Sequence, residues 1–136
     1  LDKKDYYKKL KKTLNEKISK LKNQTTKKIS KIKSENKVII ALGAPARGVV
    51  ITSVLNANKY INYYIDDSPT KQNTYFPGTN AKVINWKHKS LLNCQNFILL
   101  SWNYEKEIIQ KIFKYKKNFN LIKIFPKFKI EHYKKN

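Results

Sequence analysis

The first 36 residues carry the pattern of one long amphipathic helix, or of two in succession. They contain no glycine or proline, and their apolar side chains recur mostly three or four positions apart. These apolar positions are Tyr6, Leu10, Leu14, Ile18, Leu21, Ile29 and Ile32. The polar stretch 23–26 is the weakest part of the pattern, so a break there stays open. Because the apolar stripe is narrow and surrounded by lysine, we interpret residues 1–36 as a lysine-rich linker helix that packs on another surface.

From residue 37 onward, short apolar runs alternate with amphipathic segments. The runs predict five strands, at 38–42, 61–65, 81–84, 97–101 and 121–125. Helices are predicted at 49–55 and 104–116, and a short helical turn at 89–93. Strands that alternate with helices form α/β sheets in which most strands run parallel. We therefore expect residues 37–136 to form an α/β domain whose mostly parallel sheet is flanked by helices.

The charge of the chain raises the question of nucleic-acid binding. The 136 residues include 30 basic and 9 acidic ones, which gives a net charge of +21. All the basic residues except Arg47 are lysines, whereas proteins that read nucleic acids usually rely on the bidentate guanidinium. Lys, Ile, Asn and Tyr together supply 69 residues, which indicates a drift in composition toward residues with AT-rich codons. We therefore interpret most of the charge as solvated surface and rank nucleic-acid binding as an alternative hypothesis.

The sequence predicts neither a membrane protein nor a metal site. No apolar run approaches the roughly 20 residues that span a bilayer, and the lysine-rich start does not resemble a secretion signal. Cys94 is the single cysteine, and with only His88 and His132 beside it the chain lacks the ligands of a structural zinc site. We expect a reducing, cytoplasmic setting. No nucleophile, base and orienting acid form a set, so we assign no catalytic residue.

The candidate binding loop follows the first predicted strand. Two of the three glycines and the single arginine fall within Gly43, Ala44, Pro45, Ala46, Arg47 and Gly48. Small residues between a strand and a helix allow the backbone to approach a phosphate, and Arg47 could hold the same anion. The spacing fits neither the dinucleotide fingerprint nor a Walker A loop. The alternative is that the glycines only permit a tight turn and close packing of the helix on the strand.

Further candidates follow the second and fourth predicted strands. Carboxyl ends of parallel strands meet at one edge of a sheet, where ligands commonly bind. At this edge we place Asp66 and Asp67, one of which could take ribose hydroxyls while the other serves the turn. Lys71 and Gln72 follow in the same polar loop. Asn103 could contact a ligand or cap the helix beginning at Tyr104.

Taken together, these segments resemble the C-terminal domain of S-adenosylmethionine-dependent sugar C-methyltransferases, which methylate a carbon of a nucleotide-linked deoxysugar. The resemblance covers residues 37–112 and the leading helix. It rests on Gly43-Ala44-Pro45-Ala46-Arg47-Gly48, Asp66 with Pro69, Lys71 and Gln72, Tyr75, Pro77-Gly78-Thr79, and Ser101-Trp102-Asn103-Tyr104 with Glu107-Ile108.

The resemblance implies a Rossmann-like fold that helps to hold the nucleotide-sugar. The loop from Gly43 to Gly48 would take the diphosphate, and Asp66, Lys71, Gln72 and Thr79 would line the pocket. The zinc cysteines and cofactor-binding glycines of the family have no counterparts here. We therefore expect this chain to bind and position the sugar, while S-adenosylmethionine belongs to a methyltransferase domain joined in cis or in trans. A scaffold or dimerisation module is a further alternative.

Overall fold

The computed structural model of the protein describes residues 2–136 and shows a six-stranded sheet with helices packed against it. The strands are β1 (Ile39–Leu42), β2 (Tyr63–Ile65), β3 (Lys82–Ile84), β4 (Asn96–Leu99), β5 (Asn118–Lys123) and β6 (Lys129–Lys134). The helices are α1 (Lys3–Ser34), α2 (Ala46–Val54) and α3 (Glu105–Phe113). Short 3-10 turns cover Asn58–Tyr60, Lys89–Asn93 and Trp102–Tyr104.

The order of the strands in the sheet is β3-β2-β1-β4-β5-β6. Strands β1 to β5 run parallel, and β6 runs antiparallel to β5. The chain moves outward from β1 to β2 and β3, then returns to the other side of β1 with β4. In open parallel sheets such a reversal of direction leaves a crevice at the carboxyl ends of the two central strands. The predicted α/β sheet, mostly parallel and preceded by a long helix, is confirmed.

Helix α1 is a single continuous helix. The Asp2 carboxylate caps its first turn by accepting from the Asp5 amide at 2.9 Å, and the left-handed Asn36 (φ 56°) follows its end. Thr25, in the stretch where a break was left open, is fully buried. Leu21 and Ile29 pack beside it in the core. None of the helices described within residues 2–136 is long and apolar enough to cross a bilayer.

The core lies on both faces of the sheet, and β1 shows how it is divided. Ile39 and Ala41 contact the cluster that includes α1 and the segment after α2. Ile40 and Leu42 point to the opposite face, toward the cluster that includes α3. All four side chains are at most 1% exposed, as expected for a central strand covered on both faces. The carboxyl end of β1 is therefore held rigidly, and the loop that follows it starts from a fixed position.

The apolar runs predict no strand beyond residue 125, yet β6 follows there. All six residues of β6 pair with β5, from Asn118 with Lys134 to Lys123 with Lys129. Tyr133 stacks on Phe119 with ring centroids 5.2 Å apart, and its hydroxyl donates to Glu131 at 2.8 Å. The strand thus covers the outer edge of β5 with a half-buried ribbon.

Candidate functional site

The loop from Gly43 to Gly48 joins β1 to α2 at the carboxyl edge of the sheet. Pro45 is the residue before the helix, and no side chain caps the first turn. Its carbonyl accepts from the amides of Gly48 and Val49, at 2.9 and 3.3 Å. Within residues 2–136, the amides of the exposed Ala46 and Arg47 find no acceptor. The positive end of α2 therefore presents two unpaired backbone donors.

The local structure explains why both of these positions are glycine. Gly43 adopts φ +94°, and a β-carbon there would lie 1.9 Å from the Ser101 hydroxyl oxygen. A β-carbon on the buried Gly48 would lie 3.2 Å from the Leu100 side chain, so α2 packs closely on the strand beneath it. The tight turn and close packing that formed the alternative interpretation are confirmed. The case for anion binding thus depends on the free amides and Arg47 rather than on the glycines.

Asp66 connects the loop after β2 to the loop after β1. One carboxylate oxygen accepts from the Ala44 amide at 3.0 Å, and the other accepts from the Ser68 amide at 2.8 Å. Lys71 lies 3.7 Å from the same carboxylate and donates to the Ala44 carbonyl at 3.1 Å. The side-chain amide of Gln72 donates to the backbone carbonyl of Asp66 at 3.0 Å. Asp66 and Lys71 therefore hold the two loops in a fixed relation, and Gln72 stabilises the backbone of Asp66 within its own loop.

Asp67 has a different environment from its neighbour. Its side chain is 73% exposed and forms an ion pair with Lys111 of α3 at 3.0 Å. Asp66 is thus the aspartate that organises the turn, and both of its carboxylate oxygens already accept a backbone hydrogen bond.

The Arg47 side chain reaches the turn that follows β4. Its guanidinium carbon lies 5.9 Å from the centre of the Trp102 ring, in the turn that follows β4. This cation–π contact orients the side chain, and within residues 2–136 no carboxylate forms an ion pair with it. The sequence places Asn103 at this edge, but nothing in it predicts that the neighbouring Trp102 contacts Arg47. The guanidinium is accordingly held in place with its charge unpaired.

Two clefts flank the loop on opposite faces of the sheet. The first, which we call the Trp86 cleft, has a volume of about 310 Å³ and is lined by Gly43, Asp66, Asp67, Trp86, Ser101 and Tyr104 among others. The second, the Tyr75 cleft, has a volume of about 370 Å³ and is lined by Ala44, Ala46, Lys71, Thr74, Tyr75 and Pro77 among others. Sequence reasoning missed Trp86, because no motif distinguishes a tryptophan shortly after β3 from an ordinary core residue.

Thr79 lies away from these clefts. Residues 73–76 fold back beside β3, which carries the following turn to the amino ends of β2 and β3. There the Thr79 hydroxyl donates to the Phe76 carbonyl at 2.8 Å and accepts from the Ala81 amide at 3.1 Å. It lines a different cleft, together with Asn58 and Asn62. The structure therefore does not bring Thr79 together with the loop from Gly43 to Gly48.

Asn103 is at the predicted edge but is exposed, and its side chain makes no hydrogen bond within the described chain. Of the two roles that the sequence leaves open for Asn103, the helix cap is wrong. The residue before α3 is Tyr104, and no side chain bonds to the first turn of that helix.

The cysteine and the two histidines of the described chain each have a structural environment. Cys94 is buried, and burial raises the pKa of its thiol to about 11, which keeps it protonated at neutral pH. His88 caps the turn at 89–93 by accepting from the Ser90 amide. His132 lies in β6 beside Asn120. Among residues 2–136, no three His, Cys, Asp or Glu side chains gather where a metal ion could bind.

The comparison with protein families identifies the chain. A family model described as the C-methyltransferase C-terminal domain matches residues 1–126. The chain belongs to this family. No curated protein matches the sequence. The match includes α1, the five parallel strands and the loops at their carboxyl ends, and it stops before β6. The resemblance to C-methyltransferases drawn from the motifs is confirmed at the level of the family.

Proposed function

We propose that this chain is a Rossmann-like domain that holds a nucleotide-linked deoxysugar for methylation at a carbon atom. The observation that carries the proposal is the unpaired Arg47 guanidinium, held over Trp102 beside the free amides of Ala46 and Arg47. Backbone N–H groups at a helix start and an unpaired guanidinium are the donors that a diphosphate requires. Membership of the C-methyltransferase family supports this use of the site.

In this proposal the diphosphate lies against the start of α2, and the two clefts beside the loop accommodate the groups on either side of it. Asp66 and Lys71 are positioning residues, since their hydrogen bonds fix the Gly43–Gly48 loop, and Gln72 supports Asp66 within its own loop. Thr79 takes no part in this arrangement. Asn103, exposed at the same edge, is free to approach a bound ligand.

The chain itself would bind and position the sugar without methylating it. We assign no residue of it to S-adenosylmethionine. That cofactor, and the base that removes a proton from the substrate, would belong to a methyltransferase domain in cis or in trans. We propose that the enzyme acts in the cytoplasm, where nucleotide-sugars are available.

Isothermal titration with dTDP- and UDP-sugars tests the proposal. Saturable binding is expected, and Arg47→Ala should weaken it about 10- to 100-fold, because a charge-assisted hydrogen bond contributes roughly 1.5–3 kcal/mol. Lys59→Ala is the matched control, since it removes an exposed cation that also lies over an aromatic ring, at 5.1 Å from the centre of Tyr60. Equal affinity of both variants for the sugar would refute the phosphate role of Arg47.

The net charge of +21 favours a second candidate, a nucleic-acid-binding module. Such a module would bind duplex DNA with an affinity that falls steeply with salt, with a log–log slope of about −0.9 per phosphate contacted. The same titration with DNA at two salt concentrations separates the candidates. Saturable sugar binding that persists at high salt supports the nucleotide-sugar candidate.

A further inference from the structure

The first half of α1 projects beyond the domain, and nothing else within residues 2–136 packs against it. Every residue from 2 to 20 is exposed, whereas Leu21, Thr25 and Ile29 are at most 4% exposed. Residues 3–20 extend the helix by roughly 27 Å at 1.5 Å per residue. A helical segment of this length is marginal in water when nothing packs against it. Its free surface is therefore a candidate interface.

The exposed segment carries an apolar stripe in register with the part of α1 that packs on the core. Leu10, Leu14 and Ile18 are 41%, 50% and 38% exposed, and they follow one another at intervals of four residues. At 100° per residue they lie on the same side of the helix as Leu21, Thr25 and Ile29. The face that anchors α1 to the domain thus continues outward, uncovered.

This continuity restricts the shape of what can cover the stripe. Because the domain packs on the same side of α1, the stripe faces the notch between the projecting helix and the body of the domain. A flat surface such as a membrane would meet the domain before it reached the stripe. A compact body beside the domain fills the notch without obstruction.

The charge of the segment restricts the chemistry of the partner. Residues 3–20 include eight lysines and only two acidic residues, Asp5 and Glu16. A second copy of the chain would bring an equally positive helix and a further net charge of +21 into the same notch. Repulsion between like charges disfavours that pairing, whereas carboxylates beside an apolar groove would complement the lysines.

We propose that the projecting half of α1 (residues 3–20) is the docking surface for the methyltransferase domain of the same enzyme. That domain would fill the notch with an apolar groove flanked by carboxylates. The proposal rests on the function proposed above, since it takes the partner to be the part of the enzyme that binds S-adenosylmethionine. It places the catalytic domain beside the body of this domain, with α1 shared between the two.

Amide hydrogen exchange of residues 5–19 tests the proposal. It is measured in the chain alone and again with the methyltransferase domain present, either linked in the same chain or added as a separate protein. Exchange should be fast in the chain alone and at least about tenfold slower with the partner, because a helix covered by packing opens less often. The double variant Leu10→Gln with Leu14→Gln should lose this protection, since glutamine keeps helix propensity but removes the apolar contact. The double variant Asn15→Gln with Ser19→Gln introduces the same residue on another face and should keep it.

Three results would overturn the proposal. They are unchanged exchange with the partner present, protection that appears with rising concentration of the chain alone, and protection by anionic vesicles. The second would assign the surface to a second copy of the chain and the third to a membrane. Titration of the same variants with nucleotide-sugars keeps the two proposals separate. The substituted side chains line neither the Trp86 cleft nor the Tyr75 cleft, so sugar affinity should stay unchanged.

Discussion

Asp66 illustrates how a residue can serve a binding site without contacting the ligand. Each of its carboxylate oxygens accepts a backbone amide, one in the loop after β1 and one in its own turn. Lys71 reinforces the connection by donating to the Ala44 carbonyl. The position of the free amides at the start of α2 therefore depends on a side chain from the next strand.

Asp66→Asn should destabilise the fold by about 1–3 kcal/mol, because its amide group would present a donor to one of the two backbone N–H groups. Asp67→Asn is the matched control, since it makes the same change at the next residue, where the side chain is 73% exposed and forms a surface ion pair. Its effect should stay within about 0.5 kcal/mol. Urea unfolding of both variants measures the difference. Equal losses would show that Asp66 does not tie the loops together.

Sequence reasoning predicted which residues meet at the carboxyl edge better than it predicted their roles. Parallel strands bring the segments after β1, β2 and β4 together, so the placement of Arg47, Asp66 and Asn103 at that edge followed from the pattern. The different roles of the adjacent Asp66 and Asp67 cannot be assigned without the geometry of the turn. Only the family resemblance places Thr79 with them, and the sequence does not indicate that residues 73–76 fold back along β3.

At the scale of elements, β6 is held to the domain by charges as well as by its ladder of hydrogen bonds. Lys123 of β5 contacts both Glu105 and Glu131, the latter at 2.6 Å. Hydrogen bonds from Lys123 and Tyr133 hold the pKa of Glu131 below its usual value of 4.5. Burial opposes the charge on Lys123, but its two carboxylate partners raise the pKa of its amine overall.

These contacts predict how stability depends on pH. A carboxyl whose pKa is lowered by folding stabilises the protein at pH values above its unfolded pKa, and this contribution is lost as the pH falls through the folded pKa. Glu131→Gln should therefore be less stable than the natural protein at about pH 7, and the gap should narrow by about pH 3. Denaturant titrations across that range measure it. A gap that widens with acidification would contradict the assignment.

Helix α1 offers a second test at this scale, because two isoleucines on one stripe differ in burial. Ile29 is fully buried and Ile18 is 38% exposed. Ile29→Ala should cost about 2–5 kcal/mol through lost burial and a cavity, whereas Ile18→Ala should cost less than about 1 kcal/mol in the chain alone. Thermal and urea unfolding compare the pair. Similar costs would mean that the projecting half already packs on the domain.

The sequence predicted the helices and parallel strands of this fold, and it missed one strand. Fully buried strands such as β1 and β4 appear as unbroken apolar runs, which are easy to recognise. The edge strand β6 is only half-buried, and its two apolar side chains, Ile130 and Tyr133, pack on opposite faces of the sheet, so no regular alternation marks it in the sequence. The continuity of α1 also depended on a tertiary contact, the burial of Thr25.

On the scale of the whole molecule, the net charge of +21 acts against the compact state. Like charges spread over a small surface repel one another, and added salt screens this repulsion. The melting temperature should therefore rise between about 0.05 M and about 0.5 M sodium chloride. Sodium chloride is suitable because, apart from screening charges, it stabilises folded proteins only weakly. A fall in the melting temperature would show that the surface ion pairs outweigh the excess of positive charge.

The central claim is that the start of α2 and Arg47 hold the diphosphate of a nucleotide-sugar. The most direct measurement is a titration with a dTDP- or UDP-sugar followed by amide correlation NMR spectra. The largest shifts should occur at the amides of Ala46, Arg47 and Gly48 and at the Trp102 indole, while the turn that contains Thr79 should stay unchanged. Shifts centred on that turn, or spread across the lysines of the surface, would contradict the account.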